Sequence, residues 1–290
     1  MYGLLDQHLA LPAPHSPALG LALTLVGAAI MATGVRSLVA REPRLRFLPP
    51  AGTEPPAAAH RAAVFLFVLL PWVLIYFGIQ ALGIPANRID LSFGFESHWP
   101  ILQWTVAIYV SAYLQAPLAV LIAASRRGLR RLAVAGALAS LVVGICWIVI
   151  PAVVVHRPYT PHGLLGRVLS LERAMDDGTV SFPSMHVVWA LLSADVWSDR
   201  ARVSGHRIWR VFGYLWAIAI SITTITTGMH YVIDVAAALP VYFAVRNPDA
   251  LWERLRGALA AARRRIESGR RTNGRMSNCL VTDFRGMTKR

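Results

Sequence analysis

Ser181-Phe182-Pro183-Ser184-Met185-His186, read together with Gly228-Met229-His230-Tyr231-Val232-Ile233-Asp234, is where the reading of this chain begins. Each stretch sets a histidine at the very start of an apolar run, so each marks the polar rim of a helix that is otherwise buried. His230 and Asp234 are one turn apart, which on a helix puts both side chains on one face. A histidine beside a carboxylate, a second histidine elsewhere and an arginine ahead of both, Arg157, supply what the movement of a phosphoryl group needs. Whether they meet depends on the runs between them.

Those runs set the fold class. The chain has 290 residues, of which 56% are hydrophobic and only 15% charged, and its mean hydropathy is +0.50. That is too apolar for an ordinary soluble domain, and the charges are bunched between long apolar segments, the pattern of an all-α, polytopic transmembrane bundle. The net charge of +14 does not point to nucleic acid. The cations, all arginine apart from Lys289, sit in short gaps between apolar runs and in one tail, where topology and anionic lipid headgroups account for them. Cys146 lies inside an apolar run and Cys279 in the basic tail, which speaks against a disulfide framework. The first apolar segment lacks a basic leader and is flanked by prolines, so no cleaved signal peptide is expected.

In order, the expected spans run from Pro17 to about Val35, Ala62 to Ile84, Ile101 to Ala123, Leu132 to Val155, Ser184 to Trp197, Val211 to Thr227 and Met229 to Val245. His156 to Pro183 is the longest internal loop. Residues 1–61 read as an N-terminal span and linker, 62–246 as a six-helix catalytic membrane domain, and 247–290 as a basic tail, amphipathic at first over Leu251 to Ile266. The connections after spans one, three and five are basic, as is the tail. Those after spans two, four and six are neutral or balanced by Asp90, Glu96, Glu172, Asp176 and Asp177. This alternation implies a multi-pass protein of an inner or plasma membrane, N-terminus outside and C-terminus cytoplasmic, its tail against anionic inner-leaflet lipids. Arg157, His186, His230 and Asp234 then all fall at the extracytoplasmic surface.

An ionisable group near the hydrocarbon core costs roughly 2.5–3.5 kcal/mol on insertion scales, so it needs a partner or a job. The Asp234 carboxylate fixes one imidazole nitrogen of His230 and leaves the other free as nucleophile or base. His186 opens a helix whose first N–H groups and dipole favour an anion. Arg157 offers a planar fork for phosphate oxygens. Taken singly, each piece is commonplace: a His-x-x-x-Asp pair is often a local polar contact, Ser-x-His after proline often a cap, and arginines flank spans everywhere. His156, Tyr159 and His162 read as loop or entrance residues, and Asp195 as a local pair near the inner end of span five. A metal held by His186, His230 and Asp234 is the weaker alternative, since no tighter His-x-x-x-His or cysteine pattern supports it.

Phe182-Pro183-Ser184-Met185-His186 resembles the Pro-Ser-x-His motif of the type 2 phosphatidic acid phosphatase superfamily. His230-Tyr231-Val232-Ile233-Asp234 resembles that family's His-x-x-x-Asp motif, and Arg157-Pro158 resembles the end of its first. The resemblance covers residues 62 to 246 and implies a six-helix core with one added N-terminal span. It further implies that His230 attacks phosphorus, Asp234 orients it, His186 protonates the leaving group, and Arg157 and Ser184 stabilise the phosphoryl oxygens, on lipid substrates and without metal or cofactor. Two departures stand out. The family's soluble-type pattern has a lysine where Ile150 stands, and Ser-Arg where Thr223 and Thr224 stand. The same losses are typical of the branch containing inositol phosphorylceramide synthase and sphingomyelin synthase. The expected activity is therefore transfer of a phospho-headgroup between lipids, with a lipid phosphate phosphatase or a non-catalytic anion binder as the alternatives.

Overall fold

The computed structural model describes residues 16–39 and 54–248, together with residues 250, 251, 254, 257–261 and 264. One compact unit ends at Arg246, and a second begins at Asn247. The described residues of the second unit from 248 onward are helical, and the remainder of the amphipathic segment expected there lies outside the described residues.

Among the described residues the first unit has ten α-helices in chain order. These are α1 (Pro17–Val39), α2 (Ala58–Val64), α3 (Leu70–Ala81), α4 (Val106–Val110), α5 (Ala112–Ile122), α6 (Arg126–Val149), α7 (Gly163–Met175), α8 (Met185–Ser204), α9 (Ile208–Thr226) and α10 (Val232–Val245). A π-helical turn over Phe65–Leu69 joins α2 to α3 into one rod. Pro71 has no N–H to return to the preceding turn, and the chain takes a wider one just ahead of it. A 3₁₀ turn, α4 and α5 likewise make one rod, interrupted by a turn at Ser111 and carrying Pro117. With α6, α8, α9 and α10 these make the six-rod core, and α1 is the added rod.

Among the described residues five helices are long and apolar enough to cross a membrane; α10 is shorter, and α8 is not among them. The reason α8 differs is its place. It packs on α5, α6, α9 and α10 and is buried over most of its length, polar Ser193, Asp195 and Ser198 included. A helix surrounded by protein can carry such groups where a lipid-facing one cannot. The expected fifth span stops at Trp197; the helix runs on to Ser204, where Gly205 ends it in the left-handed conformation. Leu114, Leu121, Val149, Leu215, Ile218 and Phe243 on the outer helices are exposed, the apolar belt of a membrane bundle.

At one end of the bundle the arginines hold backbone carbonyls and acids. Arg61 donates to the carbonyls of Val120, Leu121 and Ala123, and Arg200 to that of Ile122. Asp195 of α8 accepts from Tyr214 of α9 at 2.8 Å and Tyr242 of α10 at 3.3 Å, and pairs with Arg246 at 3.1 Å and Arg131 of α6 at 3.7 Å. The local pair expected for Asp195 is thus a knot tying four helices.

The connection expected as a bare loop over residues 156–183 contains α7. Gly166, Leu169 and Glu172 form its buried face, while Leu164 and Leu171 are exposed. Two prolines and two glycines at its start hide a helix of only 13 residues from a reading based on long apolar runs.

Candidate active site

The opposite end gathers the motif residues. Thr224, one of the departures from the family pattern, is fully buried, and its carbonyl accepts from the N–H groups of both Met229 and His230, at 3.1 and 3.0 Å. The chain turns at Gly228, whose φ of +70° is open to glycine and strained for other residues. His230 therefore precedes α10 rather than lying on it, a correction to the helical placement of the His-x-x-x-Asp pair. Asp234 sits in the first turn of α10, and its Oδ2 accepts from the Tyr231 N–H at 2.8 Å. Glu96 caps the same helix from another loop, its Oε1 accepting from the Val232 N–H at 2.7 Å. Two carboxylates thus meet the positive end of α10.

The Ser184 N–H donates to the Asp234 carbonyl at 3.1 Å, which locks the start of α8 to the start of α10. The consequence is that His186 Nδ1 lies 3.3 Å from His230 Nε2, although 44 residues separate them. Asp234 Oδ2 lies 3.4 Å from His230 Nδ1. That contact is in ion-pair range but off the hydrogen-bond line, so Nδ1 has no hydrogen-bond partner. The carboxylate's firm bond is the one to the Tyr231 backbone. His230 is 3% exposed, Asp234 1%, His186 9% and Ser184 0%. Tyr109 and Tyr113 hold the His186 ring, their centroids 4.8 and 5.8 Å from its own.

Arg157 is placed differently from what the sequence alone suggests. Its guanidinium donates to the carbonyls of Glu96 at 2.8 Å, Trp99 at 2.7 Å and Ile225 at 3.0 Å, tying the connection before α4 to the last turn of α9 at the site's rim. Beside it stands Arg173 of α7, which no motif marks. Arg173 donates to the carbonyls of Arg157 at 2.6 Å and Thr227 at 2.7 Å, and its Nε is buried without a partner. A Cβ at Gly228 would lie 2.7 Å from the Arg173 guanidinium and 3.3 Å from that of Arg157, so both cations flank the turn that carries His230. Burial pushes Arg173 down to about 10, with Tyr159 opposing and Arg157 reinforcing the shift. His156 belongs here as well. Burial, then the charge of Arg173, then that of His230 push it down to about 4. Tyr159 stacks under Arg173 at 4.6 Å, whereas His162 precedes α7 at the rim.

Besides His230 Nδ1 and Arg173 Nε, the buried atoms without hydrogen-bond partners include Ser181 Oγ, Ser184 Oγ, His186 Nε2 and His156 Nε2. Buried polar groups are almost always paired; these six lie in the segments that build the site, while others, such as Gln80 Nε2, Gln115 Nε2 and Ser193 Oγ, lie elsewhere in the bundle. Among the described residues no group of three or more His, Cys, Asp or Glu is arranged to hold a metal ion.

Fold and site together define a multi-pass helical membrane protein with a buried imidazole pair, a carboxylate and two guanidinia at one end of its bundle. The chain belongs to the PAP2 superfamily, which matches it over residues 80–246, and so to the phosphatase- and phosphotransferase-type enzymes of lipids. No curated protein and no solved structure matches it.

Proposed function

We propose that the protein transfers a phosphoryl or phospho-headgroup from one lipid to another at the extracytoplasmic face, through a phosphohistidine on His230. The observation that carries this reading is the 3.3 Å approach of His186 Nδ1 to His230 Nε2, two buried imidazoles face to face beside a carboxylate. His230 Nε2 forms the bond to phosphorus as the donor's P–O bond breaks, and His186 gives its proton to the departing oxygen. In the second half the acceptor hydroxyl yields its proton to His186, its oxygen binds phosphorus, and the N–P bond breaks. A phosphoryl group between the rings requires them to part. Asp234 braces the turn that carries His230 through the Tyr231 N–H and sets its charge 3.4 Å from Nδ1, and Ser184 Oγ is free to donate to a phosphoryl oxygen. Arg157 is committed to three carbonyls, so its charge acts from the rim. Arg173 brings a second guanidinium to a site that lacks the cations at positions 150 and 224.

The test uses a phospholipid radiolabelled at phosphorus. The wild-type protein acquires label on His230 and passes it to an added lipid alcohol. His230→Ala takes up none, and His186→Ala turns over about 10²–10⁴-fold more slowly. Full activity in either variant, with the protein folded in membranes, overturns the mechanism. Release of inorganic phosphate or free phospho-headgroup in place of a new lipid assigns the phosphatase reaction, with water as acceptor. A site that binds donor yet never becomes labelled is a binder and not an enzyme.

A further inference from the structure

A cavity of about 480 Å³ opens beside the site, between the π turn and α3 on one side and α5 and α7 on the other. Its size is that of a small-molecule site, and its walls are overwhelmingly apolar. Leu66, Leu70, Val73 and Phe77 line its outer side, and all four are also exposed on the bundle surface. The mouth therefore faces the hydrocarbon belt rather than water. The π turn contributes Phe65, Leu66 and Leu69 to this wall, the kind of local widening that π turns supply at functional places.

The polar end is unusual for a protein that handles phosphate. Glu172, Asp176 and His186 line it, and no arginine or lysine does. The two carboxylates are buried and each is met by a neutral donor: Tyr113 to Glu172 at 2.8 Å and Tyr76 to Asp176 at 2.9 Å. His186 turns Nδ1 to His230, while its Nε2, also buried, has no partner. A phosphate monoester or diester placed here would meet two acids and no cation. A full positive charge would have to leave water for an apolar chamber. A hydroxyl fits both neighbours at little cost, because it donates to a carboxylate and accepts or donates at an imidazole.

We propose that this cavity is the acceptor site and takes an uncharged lipid alcohol, one chain lying along the α3 wall and its hydroxyl set between the Glu172 carboxylate and His186. The assignment rests on the transfer reading, since an acceptor other than water presupposes it. The donor phosphate belongs on the other side of His186, toward His230 and the two guanidinia. One imidazole then stands at the junction of an acid-lined chamber for the alcohol and a cationic recess for the phosphate, and the parting of the rings that admits the phosphoryl group also opens the hydroxyl's path to phosphorus; the cavity discriminates by charge.

The test is photolabelling of the full-length protein in lipid nanodiscs with a diacylglycerol carrying a diazirine on one chain. Phosphatidic acid and phosphatidylcholine with the same chain serve as charged counterparts. Diacylglycerol labels the wall around Val73 and Tyr76 in wild type and in His230→Ala, at least about tenfold more than either charged lipid, the effect of one hydrogen bond to a charged group. Val73→Trp, which fills the mouth from the lipid-facing side, and Glu172→Gln, which keeps shape and a partner for Tyr113, both reduce it. Equal labelling by phosphatidic acid or phosphatidylcholine overturns the proposal, as does labelling indifferent to both substitutions. Labelling intact in a wild-type protein that forms no phosphohistidine sinks the transfer reading and leaves the alcohol site standing. A phosphohistidine without labelling does the reverse.

Discussion

His156 shows how a side chain outside every motif is drawn into the site's electrostatics. Its folded value of about 4 lies below the ordinary 6.5, so the unfolded chain takes up this proton first. The stability that neutral His156 contributes is whole above about pH 6.5 and drains away as pH falls toward 4, by about 3 kcal/mol over the full window. Glu172 and Asp176 act oppositely: burial holds both carboxyls above the usual range, so the folded chain binds their protons first and acid favours it. The expected result is that His156→Gln loses less thermal stability between pH 6.5 and 4 than wild type does. A wild type and variant with parallel profiles would refute the buried, cation-flanked placement of His156. At Gly228 the φ of +70° costs a side chain about 1–2 kcal/mol, and the methyl group also presses on Arg173. Gly228→Ala therefore lowers stability by that amount and raises the KM for donor; an unchanged KM would mean that Arg173 plays no part in phosphate binding. The motif histidines were legible because each lies at a boundary between polar and apolar sequence. Arg173 and Glu172 were not, because their value comes from a fold-back that no local spacing announces.

At the scale of elements the same contrast recurs. The long apolar rods stood out from their hydropathy, and the extra first span with them. What the sequence concealed was α7, whose buried Gly166, Leu169 and Glu172 do repeat at a helical interval, though within too short and too glycine-rich a segment to stand out. The docking of α1 on α3 was equally hidden. Gly20, Gly27 and Gly34 recur every seventh residue of α1 and bring its backbone against the neighbouring rod: a Cβ at Gly20 would lie 2.6 Å from the Gly78 carbonyl, at Gly27 2.9 Å from that of Pro71, and at Gly34 2.6 Å from Phe67 Cβ. Small residues in this arrangement are what allows close helix packing in lipid, where apolar burial alone drives little. Gly27→Leu must push α1 away from Pro71, Leu74 and Ile75, an overpacking cost of about 1–3 kcal/mol. The variant's thermal inactivation midpoint in detergent falls accordingly, and an unmoved midpoint would mean that α1 rides loosely on the bundle.

Across the whole molecule, charge is sorted between two ends. One end holds Arg61, Arg126, Arg131, Arg200 and Arg246 with their carbonyl and carboxylate partners, including the Arg126–Glu54 pair at 2.8 Å. The other holds Glu96, Arg157, Glu172, Arg173, Asp176 and the imidazole pair, with acids and cations in closer balance. Arginine-rich ends remain on the cytoplasmic side during insertion; on that rule we propose that the site lies outside, with the cavity mouth in the outer part of the bilayer. Single cysteines introduced into a cysteine-free background test this without reference to activity. Leu164→Cys, on the exposed face of α7, and Val203→Cys, near the C-terminal end of α8, are both on well-exposed positions, at 75% and 62%. In intact cells a membrane-impermeant maleimide labels the first and spares the second, and opening the cells exposes the second. Reversed labelling would invert the protein in its membrane and move the chemistry to the cytoplasmic leaflet, where its lipid substrates would be drawn from a different pool.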